Sequence, residues 1–179
     1  MPYAYYARLA PRQRATYRQS NETDAIVLPA AVALRPLVDS LEAALTAADR
    51  ARVERAAQVL AKSLLTSLGV PSVKVKVLSR RPSTSVSELH GLYEMTGARA
   101  QAVITVWMRT AAHQRVVAFR TFVRTLLHEL CHHLDYCHFQ LADSFHTEGF
   151  FQRESSLFYQ LVPRDQGTEP KSSEETTGQ

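Results

Sequence analysis

His128 and His132 stand four residues apart within a stretch whose apolar residues recur at helical spacing, and this arrangement restricts the fold more than any other feature of the chain. Val116, Phe119, Val123, Leu126, Leu127, Leu130 and Leu134 form one stripe, so residues 116–136 read as a long amphipathic helix with its stripe in a core. On such a helix the two imidazoles lie one turn apart on the same face, where both can reach a single metal ion. Glu129 follows the first histidine, placed to take a proton from a metal-bound water rather than to bind the metal. The plain alternative is two surface histidines on a helix with a glutamate nearby. What separates the two readings is a third ligand.

Several residues could supply it. His138 would complete an HExxHxxDxxH pattern that resembles the metzincin signature, but Asp135 stands where that pattern has a glycine for a sharp left-handed turn. A methionine turn is expected downstream in that pattern, and Met1, Met95 and Met108 all precede the motif. Glu148 and Glu154 are carboxylate alternatives, and Glu154 suits equally a supporting hydrogen bond or an ion pair. His146 is the best placed. It lies near the start of a helix expected over 144–161, which Asp143 or Ser144 can cap, and imidazole is the commoner neutral zinc ligand.

Taken together, HELCHH at 128–133, the spacing to His146, and HTEGF at 146–150 with Phe150 four residues past the histidine resemble the SprT-like and Spartan zinc metalloproteases. Gly91, Leu92 and Tyr93, followed by the apolar run 102–106, are similar to the strands that precede the metal helix in that family. The resemblance spans about residues 73–162. It implies Zn2+ held by His128, His132 and His146, with Glu129 as the catalytic base of peptide-bond hydrolysis and a protein or peptide as substrate. Thr147 stands where the family often has glycine, and no cysteine-ligated zinc ribbon follows in this sequence.

At 179 residues, 45% hydrophobic and 21% charged, the chain has enough apolar residues for one core. We expect a Tyr- and Arg-rich extension over 1–29, a single metallopeptidase domain over 30–163, and a polar, disordered tail over 164–179. The net charge of +4 does not by itself signal nucleic-acid binding. Tyr3, Tyr5, Tyr6 and Tyr17 accompany Arg8, Arg12, Arg14 and Arg18; such residues can stack on bases, but more often the tyrosines pack on the domain and the arginines stay solvated. Cys131 and Cys137 cannot pair along one helix, and no long apolar run or secretory signal is present. A cytoplasmic setting without membrane contact is the expectation.

Residues 30–68 read as two scaffold helices broken at 46–49, with Asp49 capping the second and Gly69 and Pro71 ending it. Residues 73–78 alternate as a half-buried strand, and 88–94 and 101–108 read as an antiparallel hairpin. The expected fold is α+β, a small zincin-like domain with helices on a short, mainly antiparallel sheet, and the run 102–107 as an edge to which a peptide could add. Asp135 is placed to hydrogen-bond a ligand histidine or to pair locally. Tyr136 and Tyr159 are weighed as donors and set aside as packing, and His133 as structural or exposed. The other class of function is a zinc-stabilised module that binds protein or nucleic acid. Glu129 separates the two, because a structural site needs no carboxylate beside an open coordination position.

Overall fold

The computed structural model describes residues 3–29, 31–82, 90–95 and 101–162. In chain order a 3-10 turn (Ala4–Arg8) leads into α1 (Pro11–Glu22), α2 (Ala31–Thr46) and α3 (Arg50–Ser67). Then come β1 (Lys74–Arg80), β2 (Gly91–Glu94), β3 (Val103–Arg109), α4 (Phe119–Cys137) and α5 (Glu148–Leu161). The tail over 164–179 and parts of the two loops flanking β2 lie outside the described residues.

The α2 and α3 pair forms as the sequence requires. Asp49 accepts a hydrogen bond from the Arg52 N–H at 3.1 Å and so caps α3, whose apolar face from Val53 to Leu65 is wholly buried against α2 and β1. Val75 and Val77 of β1 point into the same core, while Lys74 and Lys76 face water.

The sheet corrects two expectations. Its order is β1-β3-β2, with β1 parallel and β2 antiparallel to β3, so it is mixed rather than mainly antiparallel. The run expected to be an edge is the centre: β3 is paired on both sides, and Ile104 to Met108 are all buried. A near-continuous apolar run marks a strand covered on both faces, and Ile104-Thr105-Val106-Trp107-Met108, broken only by Thr105, is one.

The two real edges differ. Along β1, α3 supplies side chains that occupy the free backbone groups: Gln58 donates to Val73 O at 2.9 Å and accepts from Val75 N–H at 2.8 Å. Glu54 accepts from Val77 N–H at 2.9 Å and Arg50 donates to Val77 O at 2.9 Å. That edge is closed to another strand. Among the described residues β2 has β3 as its sole strand partner, and α4 packs beside it.

α4 begins at Phe119, later than the expected start, because Val116 is drawn into a bridge with Arg109 at the end of β3. α5 lies against α4 and α2, and α1 lies against α5. The α1–α5 approach depends on Gly149: a Cβ there would stand 2.5 Å from Ser20 O and 2.8 Å from Thr23 O.

Candidate metal centre

α4 places His128 and His132 on one face, and the loop before α5 brings His146 to them. The Nε2 atoms of His128 and His146 are 3.0 Å apart, those of His146 and His132 are 3.1 Å apart, and all three fall within 4.8 Å of one another. Nitrogens on one tetrahedral ion with bonds of about 2.0–2.1 Å stand about 3.3–3.4 Å apart, a few tenths of an ångström more than the two short distances here, so the three histidines lie close enough to share a metal ion.

The outward nitrogens set the tautomers. His128 Nδ1 lies 3.1 Å from Glu154 Oε2, an acceptor, so Nδ1 carries the proton and Nε2 offers its lone pair. His132 Nδ1 lies 2.7 Å from Ser144 Oγ, and Ser144 in turn donates to Asp135 Oδ2 at 2.7 Å. Its hydroxyl proton being committed to Asp135, Ser144 accepts from His132, which again leaves Nε2 free. Burial lowers the pKa of His132 to about 3, helped by the neighbouring His128 and His146. Burial and His128 also lower that of His146, against Glu154. Imidazoles that present an Nε2 lone pair to a common centre, as His128 and His132 do, are the donors a divalent transition metal needs.

Glu129 is buried among these groups and ligates nothing in the cluster. Burial raises its pKa to about 7, with His128 opposing and Glu154 adding to the rise. Gly91 of β2 runs directly over it: a Cβ on Gly91 would come within 2.7 Å of Glu129 Cγ and 2.8 Å of Cδ. Two hollows of about 380 and 360 Å³ share Gly91, His128 and Glu129. One extends to His90, Arg124, Thr125 and Glu154; the other carries His132, Tyr136, Ser144 and His146 along β2. These volumes suit a few side chains of a peptide.

Several expected roles shift. His146 does not open a helix capped by Asp143 or Ser144, since α5 starts at Glu148 and Thr147 is its cap, accepting from Phe150 N–H at 3.0 Å. Ser144 is spent on His132 and Asp135, which is why its hydroxyl is not at the helix end. Asp135 reaches His132 only through Ser144, and it also pairs with Arg153 at 2.9 Å, both side chains being fully buried. Burial pushes the Asp135 carboxyl up, with Arg153 and the Ser144 hydrogen bond opposing. Glu154 ligates no histidine partner set; it bridges His128 and Arg124, the latter at 3.3 Å.

His133 is structural. Its Nε2 donates to Pro71 O at 2.8 Å and its Nδ1 faces Tyr93 OH at 3.1 Å, with burial lowering its pKa. Cys131 is buried beyond reach of solvent, and burial raises its thiol pKa well above the usual range. His138 caps α4 and stays outside the cluster. Tyr136 lines the hollow with the histidines, whereas Arg124 donates to the Tyr159 hydroxyl at 3.4 Å. Phe151 is 40% exposed and stacks on His146 at 5.8 Å.

The sequence reading missed Arg153 and Ser144. A signal existed for the first: Phe150, Arg153 and Leu157 share a face at helical spacing, so an arginine there falls on the buried side and must find a buried acceptor. Ser144 carried no such signal, because nothing local specifies which hydroxyl of the loop meets His132.

No helix among the described residues is long and apolar enough to cross a membrane. No protein-family model, no curated protein and no solved structure matches the chain.

Proposed function

We propose that the protein is a zinc-dependent metallopeptidase that hydrolyses peptide bonds with Glu129 as general base. The observation that carries this reading is the position of the Glu129 carboxylate. It is buried beside the convergent histidines, is not one of them, and is open to the cleft along β2. The resemblance of HELCHH and HTEGF to the SprT-like and Spartan proteases agrees with it.

His128, His132 and His146 would hold the ion, and zinc bound there supplies a Lewis acid that lowers the pKa of a water and polarises a carbonyl. The chain's own residues do the rest. Glu129 accepts a proton from the attacking water on a carboxylate oxygen and returns it to the leaving amine. Glu154 and the Ser144–Asp135 pair hold His128 and His132 in the tautomers that keep Nε2 free. β2 is the edge that an extended peptide can join, because the β1 edge is closed by Gln58, Glu54 and Arg50. Gly91 keeps that edge close to Glu129 without a side chain between them.

A zinc-stabilised binding module is the other reading, and it has no use for a carboxylate held at a cost in this place. The test compares wild type with Glu129→Gln for zinc content and for cleavage of unfolded casein, with and without DNA. Equal zinc in both, with cleavage lost by about 10²-fold or more in the variant, supports the peptidase. Equal cleavage by both sinks the role of Glu129, and absence of zinc from wild type sinks the metal centre.

A further inference from the structure

The N-terminal residues meet the metal centre at two places, and each includes polar contacts. At the first, Tyr5 OH donates to the backbone carbonyl of His146 at 2.9 Å. The Tyr5 ring lies between Phe145 and Tyr17, at 6.4 and 5.9 Å between centroids, and Tyr3 meets Phe151, which stacks on His146. His128 and His132 are fixed by the backbone ladder of α4, whereas His146 stands in a loop before the α5 cap. Its position therefore depends on what grips that loop.

At the second place the end of α1 is read by Arg153. The Arg153 Nη1 donates to Ser20 O at 2.6 Å and to Thr23 O at 2.5 Å, and Nη2 donates to Ser20 Oγ at 3.0 Å and to Asp135 Oδ1 at 2.9 Å. Asp135 then accepts from Ser144, which holds His132. An unbroken line of hydrogen bonds runs from the α1 carbonyls to a ligand nitrogen. Ser20 Oγ also meets Thr147 Oγ1 at 3.1 Å, and Asn21 accepts from Gly149 N–H at 3.1 Å, so the α5 start just after His146 is tied to the same segment.

We propose that residues 3–23 are a working part of the metal centre, with Tyr5 and Arg153 as positioning residues for the ligands His146 and His132. This rests on the metal-centre reading and adds a coupling. If docking of the segment holds the ligands in their binding geometry, bound metal must tighten that docking in return, because the linkage is reciprocal. Packing alone would not require it: an apolar contact between α1 and α5 would fix the helices without reaching either histidine.

The test uses the full chain as wild type, His146→Ala, Tyr5→Phe, Ser20→Ala and Arg153→Lys. Zinc affinity is measured by competition with a chromophoric chelator, and the cobalt-substituted absorption spectrum reports ligand geometry. Amide exchange over residues 3–23 is followed with and without zinc, and unfolding in chelator controls for the fold. Tyr5→Phe should weaken zinc binding by about 3-fold to 10-fold, the loss of one hydrogen bond. Arg153→Lys should weaken it by about 10-fold to 100-fold, as for groups that orient metal ligands. The cobalt spectrum should shift in both, and zinc should slow exchange in residues 3–23 of wild type.

Unchanged affinity and spectrum in folded Tyr5→Phe and Ser20→Ala overturn the proposal, as does exchange that zinc leaves untouched. Should Arg153→Lys not fold, those two variants decide the matter. If wild type binds no zinc, or binds it as well as His146→Ala does, the metal centre itself is wrong and this proposal falls with it.

Discussion

The α2–α3 pair and the α4–α5 pair are built on opposite terms. Every buried residue of α2 and α3 is Leu, Val or Ala. The other pair buries Glu129, His133, Asp135, Arg153 and Glu154 among its leucines and phenylalanines. Apolar burial is non-directional and tolerant, so the first pair can supply stability without fixing any one atom. Buried charges and hydrogen bonds are directional and costly if left incomplete, so the second pair spends stability on placing particular atoms. The difference teaches where particular atoms are fixed: the pair that buries directional groups is the pair that brings three imidazoles together.

The sharpest way to break this contrast is Asp135→Ala. It strands the fully buried Arg153 without its carboxylate and releases Ser144 from its acceptor. Loss of one member of such a buried pair costs about 3–5 kcal/mol, and chemical unfolding of the metal-free protein should show it. Zinc affinity of the folded fraction should fall as well, because His132 loses its orientation. Leu64→Ala, at a fully buried position of α3, should cost about 2–4 kcal/mol by leaving a cavity. Zinc affinity of the folded variant should stay within about twofold of wild type, since Leu64 lies in the apolar pair. A comparable loss of affinity would mean that the two regions are not separable.

The two pairs were also unequally legible. Helices α2 and α3 follow from composition, a break, and the cap at Asp49, all local signals that tertiary contacts then reinforce. Helix α4 was legible for the same reason, with the His128–His132 spacing riding on the apolar stripe. In the sheet, the alternating strand β1 and the antiparallel β2–β3 pairing were legible, but the strand order was not, because the parallel pairing of β1 with β3 joins strands separated by the whole β2 hairpin region, and strand order has no local signature. That is why β3 read as an edge when it is the centre. At the site, spacing and residue type pointed to His128, His132 and His146, which the fold does bring together, but the path from α1 through Arg153, Asp135 and Ser144 joins four segments distant in sequence. Only the fold brings them together.

A smaller effect of opposite sign sharpens the contrast. Glu129 has its folded pKa raised to about 7 from an ordinary 4.5, chiefly by burial. Its contribution to stability is therefore fully present below pH about 4.5 and is lost as pH rises through about 7, where the buried carboxyl ionises. Metal-free Glu129→Gln should be more stable than wild type at pH 8, by something on the order of 2 kcal/mol, and the difference should vanish near pH 4. Thermal unfolding in chelator across that range measures it. If the variant is no more stable at pH 8, the carboxylate is not held at a cost, and the argument that its place reflects chemistry loses its footing.

The smallest effect belongs to Gln58→Ala on the apolar side. Gln58 gives α3 its hydrogen bonds to Val73 O and Val75 N–H of the β1 edge, and its removal leaves both groups to water. They lie at a sheet edge that solvent can reach once the side chain is gone, so the cost should be about 0.5–1.5 kcal/mol rather than that of a buried orphan. Metal affinity of the histidine cluster should not change. What should change is association: with Val73 and Val75 freed, the β1 edge regains pairing groups that a second chain can use. Sedimentation at increasing concentration should show self-association in the variant and less in wild type. If the variant stays monomeric wherever wild type does, Glu54 and Arg50 alone keep that edge closed.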